Sequence, residues 1–357
     1  MELEKKIAVI FNQFQTKHIF KRFETFNSGH INDTFLIITQ ENVNYVLQKI
    51  NTTVFKKATD VVHNKIKITH HLSEKGIQTI RFIPTKDNVY YLIDDDNNLW
   101  NLSEFIENSQ TFLKVESDDI AYQAGLITAE FLTNTSDFTS NLVEILPNFH
   151  SMSFRFREFK DALVNATQKR KEKAQKWIDF ALANKKEMMV LDRAINRKEI
   201  PLRVTHNDTK ISNILFNTNN KAICMIDLDT VMKGCIHFDY GDALRTICNT
   251  ANEDEPNVYN INFNLDYFKN YTEGFLKNLA DNISKQEASY LPISIQVMTF
   301  IMGLRFLTDY LNNDVYYKTK HPEHNLDRAS NQFTLVEKIK EQKPFIENFI
   351  KTIYNKP

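Results

Sequence analysis

The 357-residue chain reads as an α+β protein in two lobes, a small mainly β N-lobe (1–104) and a larger mainly α C-lobe (105–357). Three observations predict this. Period-two runs rich in β-branched and aromatic residues crowd the first hundred positions. Helical spacing of apolar residues dominates the rest. Inside that helical half lies one hairpin-like stretch, Arg203 to Asp229, with polar and acidic residues at both ends of its apolar segments.

Leu3, Ile7, Ile10, Phe11 and Phe14 predict a first helix over 2–14. Ile19–Phe26, Thr34–Thr39 and Val43–Ile50 then read as three meandering strands. The first two are joined by a turn carrying Ser28, Gly29 and His30. Residues 58–75 return to helical spacing and stop at Gly76, a C-cap. Ile80–Ile83 and Val89–Ile93 give two more strands, and the polar run from Asn97 to Ile106 is expected to be the hinge between lobes. Beyond it, Ser117-Asp118-Asp119 caps a helix to Phe131, and Phe154–Ala183 reads as one long helix breaking near Asn184. A helix is expected to begin near Gly241, capped by Asp239 and Asp242. Leu265–Leu279, Ser284–Leu311 and Asn325–Ile353 close the chain as helices.

Composition narrows the function. A formal charge of −1 lacks the basic excess that a nucleic-acid surface needs, so no nucleic-acid partner is expected. No window approaches the apolar length of a membrane span, and the N-terminus reads as mature sequence rather than a signal. Three cysteines without a C-x-x-C read as reduced thiols in a cytoplasmic protein. With only seven glycines there is neither a G-x-G-x-x-G nor a Walker A loop, which removes the Rossmann and P-loop classes.

The stretch His206-Asn207-Asp208, then Asn213, then Asp227 at the end of an apolar strand carries the chemistry. Phosphoryl transfer from ATP needs a carboxylate to accept the hydroxyl proton, here Asp208. It also needs an amide and a second carboxylate, Asn213 and Asp227, to hold Mg2+ against the phosphates. Asn217 to Lys221 supplies the turn that brings Asp227 back toward Asp208. His206 packs and hydrogen-bonds the loop in this reading, and is not the base. A metallohydrolase using His206, Asp208, Asp227, Asp229, His237 and Asp239 is disfavoured, because no second imidazole sits at ligand spacing. A strand-rich lobe followed by a helical lobe with a catalytic β-hairpin is the protein-kinase-like two-lobe fold.

These residues resemble the aminoglycoside phosphotransferase superfamily, which includes choline and sugar kinases. Ser28–Thr34, Tyr45–Asn51 and Arg305–Leu311 are similar to its N-acetylhexosamine 1-kinase branch. The resemblance implies ATP- and Mg2+-dependent phosphorylation of the anomeric hydroxyl of GlcNAc or GalNAc in amino-sugar salvage. That hydroxyl is more acidic than an ordinary alcohol, so an aspartate base suffices. Ser28, Gly29 and Gln48 would then meet the nucleotide, and Arg305, His30 and Tyr317 the sugar, with Tyr316 as a further candidate; Asp229 would face the metal mouth. Arg305 interrupts an apolar helical run, where it either pairs with Asp309 or grips substrate.

One departure stands out. Kinases place a lysine on the third strand, paired to a glutamate on the next helix. Here the strand carries Gln48, with Lys49 beside it on the opposite face. No glutamate occurs between 57 and 73, and Asn64 is the nearest polar candidate. Either Gln48 contacts phosphate or a different register turns Lys49 inward. The competing readings are a kinase of an amino alcohol or aminoglycoside, and a nucleotide-binding pseudokinase.

Overall fold

The computed structural model describes residues 2–26 and 31–355. The chain forms α1 (Glu2–Phe11), β1 (Phe20–Phe26), β2 (Asp33–Thr39), β3 (Asn44–Ile50), α2 (Ala58–Glu74), β4 (Phe82–Ile83), β5 (Leu92–Ile93), β6 (Leu99–Glu104) and β7 (Ser109–Gln110). There follow α3 (Asp118–Asn134), α4 (Met152–Asn165), α5 (Gln168–Met188), α6 (Val190–Asn196), β8 (Arg203–Thr205), β9 (Ile214–Asn217), β10 (Ala222–Met225), α7 (Ile236–Ile247), α8 (Leu265–Leu279), α9 (Lys285–Leu311), α10 (His324–Glu341) and α11 (Lys343–Tyr354). They divide into two compact bodies, neither of them one continuous stretch. The first takes residues 1–111, 134–147 and 215–233; the second takes 112–133, 148–214 and 234–357.

The first body is built on an antiparallel sheet in the order β1-β2-β3-β6-β4, with β5 also paired to β6. Strand alternation puts Phe35, Ile37, Tyr45, Leu47, Trp100 and Leu102 on one face, where they bury against Ile7, Ile10 and Phe11 of α1. The opposite face of β3 therefore presents Val46 and Gln48 to α2. Helix α2 ends as expected: Gly76 takes φ +73°, and the Ile77 amide returns to the Leu72 carbonyl at 3.0 Å.

The expected hinge is instead β6, paired to β3 from Tyr45↔Glu104 to Ile50↔Leu99. Its residues are buried on both faces, so it lacks the alternation that marks a half-exposed strand. The polar Asp94–Asn98 run is a tight turn, with Asp94 accepting from the Asn98 amide (2.8 Å) and the Trp100 indole (3.0 Å). A smaller sheet, β10-β9-β7, completes this body.

The second body packs around α9, whose apolar residues bury against α4, α5, α7 and α10. Contrary to expectation, α9 is long and apolar enough to cross a membrane. Its apolar window is 72% buried inside the body, however, so the protein core accounts for it. The long helix expected from Phe154 is two helices. Thr167 stops the first and N-caps the second through its hydroxyl, and α5 then runs past Asn184 to Met188. Helix α7 starts five residues before Gly241, which lies in its middle. There, a Cβ would stand 2.4 Å from the Ser294 carbonyl of α9, so only glycine permits this approach. Gly241→Ala is therefore expected to cost about 1–3 kcal/mol by overpacking, read as a fall in Tm of about 2–10 °C.

Candidate active site

In the second body, β8 delivers the chain into a loop whose backbone is held from below. Asp239, in the first turn of α7 and fully buried, accepts from the His206 amide at 2.8 Å and the Asn207 amide at 2.7 Å. Its own carbonyl takes the Thr209 hydroxyl at 2.6 Å. Burial pushes the Asp239 carboxyl up to about 7, against the pull of those two amides. Asn207 can sit at φ +65° because asparagine tolerates the left-handed region, and its carbonyl accepts from His150 Nε2 at 3.0 Å. Asp239 therefore anchors the loop rather than capping a helix at Gly241. Asp242 pairs instead with Arg245 at 2.8 Å.

Asp208 emerges from this frame with its side chain 28% exposed. Lys210 Nζ (3.0 Å) and Asn213 Nδ2 (2.8 Å) both donate to its Oδ2, and Asn213 also reaches the Asp208 carbonyl at 2.8 Å. Among the described residues, Oδ1 is left without a partner. Burial raises the carboxyl's pKa, but Lys210, His206 and Asn213 outweigh it and hold the group below the ordinary carboxylate value. His206 is buried against the edge of Phe131, and its Nδ1 accepts from the Asp208 amide at 3.3 Å, the supporting part expected of it.

A second cluster of the same body surrounds Arg305. The rings of Phe149, Tyr316 and Tyr317 lie 5.2, 5.9 and 5.7 Å from its guanidinium carbon. Asp309 is not its partner. That carboxylate accepts from the Tyr316 and Tyr317 amides and from Asn325, each at 2.9 Å, and so fixes the turn carrying both tyrosines. Arg305's hydrogen bond goes to the Met302 sulfur at 3.4 Å, and among the described residues no carboxylate pairs with it. Among the described residues, the Tyr317 hydroxyl and His150 Nδ1 are buried without partners. Burial, together with Arg305 and Arg155, pushes His150 down to about 3. It is therefore neutral, and with Nε2 donating to Asn207, its Nδ1 is an acceptor.

In the first body, Asp227 follows β10 at φ +59° and opens a short turn, Leu228–Thr230. Asp229, expected to face the metal, turns instead to Lys65, with which it pairs, and to Asn32. Gln48 Oε1 accepts from Lys65 Nζ at 3.0 Å. Lys49 lies on the other face of β3 and pairs with Asp33 at 2.6 Å, so the register that would turn it inward is not adopted. Asn64 is structural, bonding the Val143 and Val231 carbonyls at 2.8 and 3.0 Å. Ser28, Gly29 and His30 lie outside the described residues.

The profile of the phosphotransferase enzyme family matches residues 22–273, more than half of the chain. The chain belongs to this family. It is a phosphotransferase. A microcompartment-associated aminopropanol kinase aligns at TM-score 0.66 and 13% identity, over 95% of this chain and 98% of its own. An aminoglycoside phosphotransferase from Alicyclobacillus acidocaldarius aligns at 0.63 and 14%, over 96% of both. An amicoumacin kinase, solved with AMP-PNP and Ca2+, aligns at 0.62 and 11%, over 92% and 91%. At these identities the likeness establishes the protein-kinase-like fold expected above.

The donors of this phosphotransferase suit a small hard cation. Both hydrogens of the Asn213 amide nitrogen are spent on Asp208, so its Oδ1 is the atom left to offer. An amide oxygen is among the hard donors that Mg2+ takes. The metallohydrolase set is spent elsewhere. Asp239 holds backbone amides, Asp229 holds Lys65, and His237 Nε2 donates to the Glu287 carbonyl at 2.8 Å.

Sequence reasoning passed over Lys65, Lys210, His150 and the true work of Asp239. Lys210 was legible as a lysine two residues after Asp208. His150 was not, because only tertiary packing brings it to Asn207.

Proposed function

We propose that this phosphotransferase moves the γ-phosphoryl group of ATP to the anomeric hydroxyl of an N-acetylhexosamine, GlcNAc or GalNAc, in the cytoplasm. Asp208 Oδ1 accepts the hydroxyl proton, while Lys210 and Asn213 hold the other oxygen and so aim it. Asn213 and Asp227 would hold Mg2+, which would supply charge neutralisation at the phosphates. Ser28, Gly29 and Gln48 serve the nucleotide, and His30, Arg305 and Tyr317 the sugar. The free, buried cysteines agree with a reducing compartment.

The observation that carries the choice of a neutral polyhydroxyl substrate is the Arg305 cluster. An arginine in an aromatic cage, beside the buried unpartnered Tyr317 hydroxyl and His150 Nδ1, offers both donors and acceptors to hydroxyl and carbonyl oxygens. It repels a cationic amine. The acidic run Glu253-Asp254-Glu255 cannot offset this, because Glu253 is paired to Arg245, Asp254 to Lys320, and Glu255 accepts from the Asn257 amide.

The test is an ATP-consumption screen over free sugars and amino alcohols, with product NMR. Phosphate on C1 of an N-acetylhexosamine is the expected result. Turnover of amino alcohols alone would overturn the substrate, and nucleotide binding without any turnover would favour a pseudokinase. Arg305→Ala is expected to lower kcat/KM for the sugar by about 10–100-fold. Unchanged kinetics would remove Arg305 from the site.

A further inference from the structure

The structure assigns to Lys65, on helix α2, the phosphate-gripping role for which strand β3 has no lysine. This deepens the reading above and rests on it. In protein kinases the third strand supplies the cation and the following helix its acidic partner. Here the residue types are exchanged between the two elements. The strand offers an amide oxygen, Gln48 Oε1, and the helix brings the ammonium to 3.0 Å from it.

The surroundings of Lys65 are those of a held functional cation. Its side chain is 3% exposed, and that of its ion-pair partner Asp229 is 5% exposed. Asn32 fixes Asp229 from the other side, and its own Oδ1 accepts from the Asn51 amide at 2.9 Å. An ammonium has three N–H donors. One meets Gln48 and one meets Asp229. The third has no acceptor among the described residues, only the Phe82 ring 5.9 Å away. A desolvated cation with a spare donor is costly to keep unless an anion completes it. Asp229 stands two residues beyond Asp227, so Lys65 lies in the first body beside the turn that carries the proposed metal carboxylate. A phosphate oxygen would take the third donor.

The experiment measures Kd for MgADP by calorimetry, and Tm without nucleotide, for the parent, Lys65→Met, and the exchange Lys65→Gln with Gln48→Lys. Lys65→Met is expected to weaken MgADP about 10–100-fold, the worth of one charge-assisted hydrogen bond. The exchange returns a lysine to the strand and is expected to recover at least part of that affinity. A folded Lys65→Met that binds MgADP like the parent overturns the assignment and leaves the kinase reading intact. Should Lys65→Met not fold, the exchange decides alone: affinity near the parent's supports the role, and a folded exchange variant without affinity overturns it. A parent chain that binds no MgADP sinks the kinase reading itself.

Discussion

Asp208→Asn is expected to lower kcat by about 10²–10⁴-fold, the usual contribution of a general base, while MgATP affinity stays near that of the parent. The substitution is nearly isosteric. An asparagine oxygen can still accept from Lys210 and Asn213, which now stand 3.0 and 2.8 Å from Oδ2. What it cannot do is take a proton through the position of Oδ1. Steady-state kinetics and an equilibrium MgATP titration separate these two properties. Retained turnover would place the base elsewhere, and a parallel collapse of nucleotide affinity would make Asp208 a binding residue instead.

The second large effect belongs to a residue that touches no substrate in this account. Asp239→Ala leaves the buried His206 and Asn207 amides without acceptors, at about 1–3 kcal/mol each, so Tm should fall by about 4–20 °C. Because those amides set where Asp208 points, the folded fraction should also lose about 10²-fold in kcat, as expected when reacting groups shift by about 1 Å. Asp239→Asn keeps one good acceptor and should fall between the parent and the alanine variant. The same residue gives a pH signature. Its folded pKa, near 7, lies above the unfolded value near 4. Its contribution to stability is therefore full below about pH 4 and is lost as pH rises through 7. The Tm difference between parent and Asp239→Asn should thus move against the parent from pH 5 to 8. A difference independent of pH would mean that Asp239 is ionised throughout.

Much of the molecule could be read from residue order, because the signals involved are local. The meander β1–β3 followed from period-two patterning, helix α2 from its spacing and its glycine stop, and the candidate catalytic loop from the spacing of His206, Asp208 and Asn213. Errors fell where local and tertiary signals part. β6 is buried on both faces, so it shows no alternation, and its preceding turn looks like a linker. α4 and α5 share one helical period, and only the Thr167 cap divides them. Gly241 looks like a helix start because sequence does not show that α9 passes within van der Waals reach.

For the site the division is the same. Sequence by itself determined which groups are present: two carboxylates and an amide at spacings that one loop and one hairpin can serve, and a third strand with glutamine where kinases carry lysine. Tertiary structure alone decided how Asp239, Asp229, His150 and Lys65 are used. Each meets partners distant in sequence: Asp239 at His206, Asp229 at Lys65, and His150 at Asn207. A buried polar group must find its partner wherever packing puts one, since water is not there to substitute. Residue spacing along the chain carries no record of that choice.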